Sequence, residues 1–196
     1  TLRSFDESVI YLGTLSKILS PGLRIGWVFA QPPIIQKVNA AKQGADLCSS
    51  TLNQLIAARF LKTIDFDAHV RKIREIYRVR RDAMLAALEE FFPEEASWTR
   101  PAGGFFLWVT IDADINTTDL LSEALARKVA FVPGEGFYVD GSGQRSMRLS
   151  YSNPSPEEIW EGIERLAEVI KGQIVLSRTI LGVKKNKRGG AYQWPE

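Results

Sequence analysis

The spacing of apolar and polar positions changes several times along this chain, and each change predicts an element. Near the start, two short apolar runs, Val9–Leu12 and Arg24–Ala30, read as strands on either side of a polar turn. Along the second run Ile25, Trp27 and Phe29 alternate with Arg24 and Gly26, which predicts apolar side chains on one face and the arginine on the other. Pro32-Pro33 then opens a helical segment, since proline is tolerated in a first turn. Ser49-Ser50-Thr51 offers a cap for a second helix over Leu52–Lys62. Phe66-Asp67 reads as a boundary. Beyond it Val70, Ile73, Tyr77, Met84, Leu88 and Phe91 recur at helical spacing over His69–Phe91, and Pro93 ends the pattern.

The remainder alternates strand and helix signals. Phe105–Ile111 reads as a strand, Thr118–Lys128 as a helix, Phe131-Val132 as a short strand and Arg145–Tyr151 as a strand. Ser155-Pro156-Glu157-Glu158 combines a capping serine, a proline at the first helical position and a glutamate that closes a capping box. Ile159, Ile163, Leu166 and Ile170 continue it as one apolar stripe. These signals predict an α/β protein with a first segment at 1–66, a small α/β domain at 67–172 and a tail at 173–196. In that tail Ile174–Leu176 could extend a packed element, whereas the run Lys184–Gly190 is expected to be disordered.

Composition narrows the function classes. The 196 residues are 45% hydrophobic and 24% charged, enough for one domain or two small ones, with no apolar stretch long enough for a bilayer. The net charge of +2 is uneven: five basic residues against one acid give +4 after Gly172, so the body carries −2 and gives no reason to expect nucleic-acid binding. A single Cys48 and a single His69 leave no set for a metal centre, a disulfide or a Ser-His-Asp triad. His69 is expected to start a solvated helix and Cys48 to pack as a small hydrophobe. A reducing, cytoplasmic compartment is the default expectation.

Two segments carry candidate chemistry. In Tyr11-Leu12-Gly13-Thr14-Leu15-Ser16-Lys17-Ile18-Leu19-Ser20-Pro21-Gly22-Leu23-Arg24, a strand ends at a glycine and is followed by two hydroxyls, a lysine, a Pro-Gly turn and an arginine. That order suits an amine presented at a strand end, with hydroxyl and guanidinium donors nearby for an anion. A lysine that holds a carbonyl cofactor carrying a phosphate needs those groups together. A bare Ser-Lys pair would read as a surface lysine in a loop; Thr14, Ser16, Pro21-Gly22 and Arg24 around it reverse that reading. In Arg145–Tyr151, Met147, Leu149 and Tyr151 share one strand face and Ser146, Arg148 and Ser150 the other. An arginine between two serines suits a carboxylate, although a salt-bridged surface arginine has the same pattern.

The Lys17 segment resembles the Schiff-base lysine segment of the fold-type I pyridoxal-phosphate (PLP) aminotransferases. The likeness is to the branch with the 2-aminoadipate and kynurenine transaminases and the aminotransferase-like half of some bacterial regulators. It implies an α/β fold: the C-terminal part of the PLP-binding large domain followed by the small C-terminal domain. The resemblance implies that Lys17 bonds the cofactor and moves a proton at the substrate, that Thr14 and Ser16 donate to the cofactor phosphate, and that Arg24 is the phosphate's charged partner. It implies that Arg148, followed by Ser152-Asn153-Pro154, takes the substrate α-carboxylate. Val132–Phe137 resembles the family's Pro-Gly loop, with Phe137 facing a substrate side chain, and Pro101–Trp108 its glycine-rich entry to a strand. The substrates implied are an amino acid and a 2-oxo acid, and the implied assembly is a homodimer. In the family this lysine lies past the middle of a chain about twice as long, so the chain is expected to be the C-terminal half of an enzyme. Two alternatives go with that expectation: the sensor half of a PLP-binding regulator with a helix-turn-helix upstream, and an inactive fragment.

Overall fold

The computed structural model describes residues 1–181, which divide into two compact units, one of Thr1–Arg74 and one from Glu75 onward.

The first unit is built on an antiparallel hairpin of β1 (Tyr11–Thr14) and β2 (Gly26–Phe29), with Gly13 opposite Trp27 and Thr14 opposite Gly26. A Cβ at Gly13 would stand 2.2 Å from the Trp27 ring, so the glycine lets the indole lie across the strand. Both strands start two residues later than the apolar runs predict. The reason at β2 is Arg24, which adopts the left-handed conformation (φ 53°, ψ 40°) and closes a 3-10 turn over Pro21–Leu23. Arg24 therefore belongs to the turn and not to the pleat, which corrects its expected place on a strand face.

Two helices follow. α1 (Pro32–Asp46) opens on its prolines, and α2 (Thr51–Thr63) is capped by Ser50, whose Oγ accepts from the Asn53 N–H at 3.3 Å. α3 (Phe66–Phe91) starts three residues earlier than its apolar pattern, because the Asp65 carboxylate accepts from the Ala68 N–H at 2.9 Å and caps the turn. The division between the units falls inside α3, after Arg74.

The second unit holds a four-stranded antiparallel sheet in the order β3 (Ala96–Trp98), β4 (Phe106–Ile111), β6 (Ser146–Ser150), β5 (Val132–Pro133). β3 was not foreseen, since three residues are too few to show a period. Leu107, Val109, Ile111, Met147 and Leu149 are at most 3% exposed and form one core with Met84 and Leu88 of α3, with Leu120 and Ala124 of α4 (Thr117–Ala126), and with α5 (Pro156–Leu181). Each such buried aliphatic side chain contributes about 1.5–3 kcal/mol.

The capping box at the start of α5 forms as its spacing predicts. The Ser155 Oγ accepts from the Glu158 N–H at 3.2 Å, and the Glu158 carboxylate accepts from the Ser155 N–H at 2.7 Å. At its other end α5 runs on past residue 172 into the segment read as a tail, where Ile174–Leu176 was expected to be able to extend a packed element. It continues through Gly172 to Leu181, because Ile174 extends the stripe of Ile170 into the core at 3% exposure. Ser177 donates to the Asp114 carbonyl at 2.8 Å, and Arg178 pairs with Glu95 at 2.5 Å. The remaining run at 182–196, with the expected disorder over Lys184–Gly190, lies outside the described residues. Among the described residues no helix is long and apolar enough to cross a membrane.

Candidate functional site

The Lys17 turn is set by Leu15. Its side chain is 2% exposed, its N–H donates to the Ile25 carbonyl at 3.1 Å, and its own carbonyl accepts from Leu19 and Ser20 at 2.8 and 3.2 Å. With Leu15 sunk inward, the next turn of chain is carried outward and Lys17 is exposed. Thr14 Oγ1 lies 2.9 Å from Ser16 Oγ and 3.0 Å from the Ile25 carbonyl, and it accepts from the Ser16 N–H at 3.1 Å. The hydroxyl has one proton, so these contacts describe a shared local network beside Lys17 rather than two donations at once.

Thr14 and Ser16 are thus brought together. Arg24 belongs to the same hairpin, one residue before the Ile25 carbonyl that both Leu15 and Thr14 engage. Its exposed guanidinium turns back to the Pro21 carbonyl at 3.1 Å, and its other N–H groups leave the fork capable of gripping a phosphate.

Sequence reasoning missed two side chains that hold this hairpin. The Asn53 side-chain amide on α2 donates to the Leu23 carbonyl at 3.2 Å, next to Arg24. His69 on α3 lies with Nε2 2.7 Å from the Ile18 carbonyl, next to Lys17, and its ring meets Phe60 edge-on at 5.2 Å. The expectation of a solvated His69 is corrected: the ring is half-buried. No period or motif marks either residue, so nothing in the sequence could have found them. Cys48 is exposed, which corrects its expected packing as a small buried hydrophobe: it sits just beyond Leu47, whose left-handed backbone ends α1.

In the second unit, β6 keeps its predicted faces: Met147, Leu149 and Tyr151 are buried, and Arg148 looks away from them. The Arg148 guanidinium carbon stands 4.1 Å from the Phe106 ring centroid and 5.0 Å from that of Phe137. Its Nε is buried, and among the described residues it has no hydrogen-bond partner. A buried donor without an acceptor is costly, about 1–3 kcal/mol, and a planar anion entering between the rings would relieve it. Phe106 is on the Arg148 face because β4 alternates: Leu107, Val109 and Ile111 go to the core, so Phe106 and Trp108 go to the other side. The same alternation was legible in the sequence and would have named Phe106.

The Val132–Phe137 loop is held close to β6. A Cβ at Gly134 would stand 2.6 Å from the Gly143 carbonyl oxygen and 2.7 Å from that of Ser146, so only glycine fits. This seating brings Phe137 edge-on to Trp108 at 5.2 Å as well as over Arg148. The Pro101–Trp108 loop divides its residues: Leu107 is core, Phe105 packs edge-on to Tyr77 at 4.7 Å, and Phe106 faces the arginine. Tyr151 donates to the Gly103 carbonyl at 3.4 Å, and burial pushes its phenol above the ordinary tyrosine value.

One hairpin therefore offers an amine, two hydroxyls and a guanidinium, and one strand offers a guanidinium between two rings. Residues 3–166 match the family model described as aminotransferase class I and II. This chain belongs to that family. It is 48% identical over 175 residues to an aromatic-amino-acid aminotransferase of Thermococcus litoralis, covering 88% of this chain and 42% of the relative. Among solved structures it resembles the α-aminoadipate aminotransferase LysN of Thermus thermophilus, complexed with N-(5'-phosphopyridoxyl)-L-leucine, with a TM-score of 0.85 and 41% identity, over 89% of this chain and 45% of that one. The similarity reaches an uncharacterized helix-turn-helix transcriptional regulator of Bacillus subtilis, 39% identical over 172 residues, 87% of this chain and 35% of the regulator. This aminotransferase chain spans less than half the length of the relatives it matches.

Proposed function

We propose that the whole protein transfers an amino group between an amino acid and a 2-oxo acid with pyridoxal phosphate, as a homodimer in a reducing, cytoplasmic compartment. The observation that carries the reading is the hairpin, where an exposed lysine is flanked by the paired hydroxyls of Thr14 and Ser16 and shares its ladder with the Arg24 turn. Those groups fit a cofactor with both an aldehyde and a phosphate. When bound, the cofactor supplies an electron sink for the bond broken at the substrate's Cα. Lys17 holds the cofactor through its amine and then carries the Cα proton as general acid and base. Thr14, Ser16 and Arg24 bind the phosphate and fix the ring against rotation. Arg148 takes the α-carboxylate with two parallel hydrogen bonds, and Phe106 and Phe137 exclude water from that ion pair.

The experiment is Lys17→Ala in the whole protein, with cofactor retention and transamination measured together. Loss of both is expected. Unchanged turnover would refute the reading. The likeness to a helix-turn-helix regulator supports a second reading, in which the same groups sense an amino compound for a DNA-binding segment elsewhere. Tight cofactor binding at Lys17 with no turnover on any amino acid would favour it.

A further inference from the structure

The cofactor lysine and the phosphate arginine lie on a hairpin whose turns have little regular structure of their own. What holds those turns is the pair of side chains reaching in from α2 and α3. Among the described residues, no backbone N–H serves the Ile18 carbonyl; its partner is His69 Nε2 at 2.7 Å. A carbonyl oxygen only accepts, so Nε2 carries the proton and His69 is the donor. Phe60, edge-on to the imidazole at 5.2 Å and 82°, fixes the ring plane in which that N–H points. Asn53 does the same for the other turn, donating to the Leu23 carbonyl at 3.2 Å.

We infer that His69 and Asn53 are positioning residues for the cofactor site, each latching the peptide next to a residue that binds the cofactor: His69 beside Lys17, and Asn53 beside Arg24. The inference rests on the functional reading above and adds a division of labour to it. The carbonyl that His69 holds belongs to the residue after Lys17, so a change there frees the backbone of the turn that presents the amine. The carbonyl that Asn53 holds precedes Arg24, whose left-handed backbone (φ 53°) is the point at which the turn enters β2. The geometry separates their effects: His69 governs how the lysine meets the cofactor, and Asn53 governs how firmly the phosphate is held.

The test uses the whole protein loaded with pyridoxal phosphate and reads the absorbance of the lysine-bound cofactor and its dissociation constant. His69→Leu is expected to shift the absorbance band and weaken binding about tenfold, the cost of leaving a half-buried carbonyl without its donor. His69→Gln keeps an N–H donor on a side chain of similar reach, and it is expected to restore both readouts. Asn53→Ala is expected to weaken binding with the band unmoved. A His69→Leu protein with wild-type band and affinity would overturn the inference, and so would a folded His69→Gln protein as impaired as His69→Leu. If His69→Leu does not fold, His69→Gln decides alone: wild-type behaviour supports the latch and loss overturns it. A wild-type protein that holds no pyridoxal phosphate overturns the functional reading and this inference together, whereas tight binding unmoved by His69→Leu overturns only the latch.

Discussion

The unit from Glu75 onward has a continuous core, with Leu107, Val109, Ile111, Met147, Leu166 and Ile170 all at most 0% exposed, while in Thr1–Arg74 only Leu15 and Ala57 are buried apolar side chains. In that first unit Leu12 is 70% exposed, Leu52 66% and Leu55 63%. The contrast teaches that folding energy and candidate chemistry are distributed differently along this chain. The second unit stabilises itself and presents one arginine between two rings. The first presents the amine and the anion donors on a hairpin that buries little, in a unit that leaves many large apolar side chains exposed.

The two units should differ most when they are separated. Residues 67–181, which include α3 from Asp67 onward and the core, are expected to unfold cooperatively in urea, with a slope of about 1–3 kcal/mol/M. Residues 1–74 are expected to show no cooperative transition, and the full 196-residue chain to be poorly soluble by itself. A first segment that unfolds as sharply as the second would show that the exposed side chains understate its core.

Point substitutions make the same comparison on a finer scale. Leu107→Ala, at 0% exposure, is expected to cost about 2–5 kcal/mol in the 67–181 segment, measured by urea unfolding. Leu12→Ala, on the exposed strand of the hairpin, should change the stability of the whole protein by no more than about 0.5 kcal/mol. Equal costs would mean that Leu12 is covered by a surface this unit does not itself contain.

The same difference explains what the sequence disclosed. Amphipathic periods are written by burial, so the second unit was largely legible: the stripe of Ile159, Ile163, Leu166 and Ile170, the faces of β6 and the box at Ser155 all stand where the pattern put them. Gly172 and the charge beyond it suggested an end, but Ile174 lies one helical repeat beyond Ile170, and burial there overrode composition. The first unit was legible as a motif, not as a pattern. Its lysine, hydroxyls and arginine could be read off by resemblance, but the left-handed Arg24 and the donations of Asn53 and His69 depend on how the chain returns upon itself. A 51-residue separation between His69 and Ile18 leaves no local trace.

Two glycines give a smaller and more pointed test. The Cβ of Gly134→Ala would press on backbone: the carbonyl of Ser146, which lies in β6, and that of Gly143, which accepts from the Ser146 N–H at 2.9 Å. That substitution should cost about 1–3 kcal/mol and loosen Phe137 from Arg148, which near-UV circular dichroism can follow. The atoms nearest the Cβ of Gly13→Ala all belong to the Trp27 side chain, itself 36% exposed and able to swing away. Its cost should be the lesser of the two, read as a shift in Trp27 fluorescence rather than as unfolding. The reverse order would mean that the hairpin is the more rigid element.

The helix caps are expected to show the smallest difference. Ser155 takes part in a reciprocal box, while Ser50 makes a single bond at 3.3 Å, so Ser155→Ala should cost about 1 kcal/mol and Ser50→Ala less. Acid sharpens the contrast. The Glu157 carboxylate is held below its ordinary value, first by its own backbone N–H and then by the Ser155 hydroxyl. A depressed carboxylate stabilises the fold fully above its unfolded value, about 4.3, and that contribution fades as pH falls through the lower folded value. Ser155→Ala removes part of the depression. The gap in melting temperature between the wild-type and Ser155→Ala forms of residues 67–181 should therefore be widest near neutral pH and narrow on acidification. A gap that stayed constant or widened in acid would mean that the serine acts through the Glu158 N–H alone.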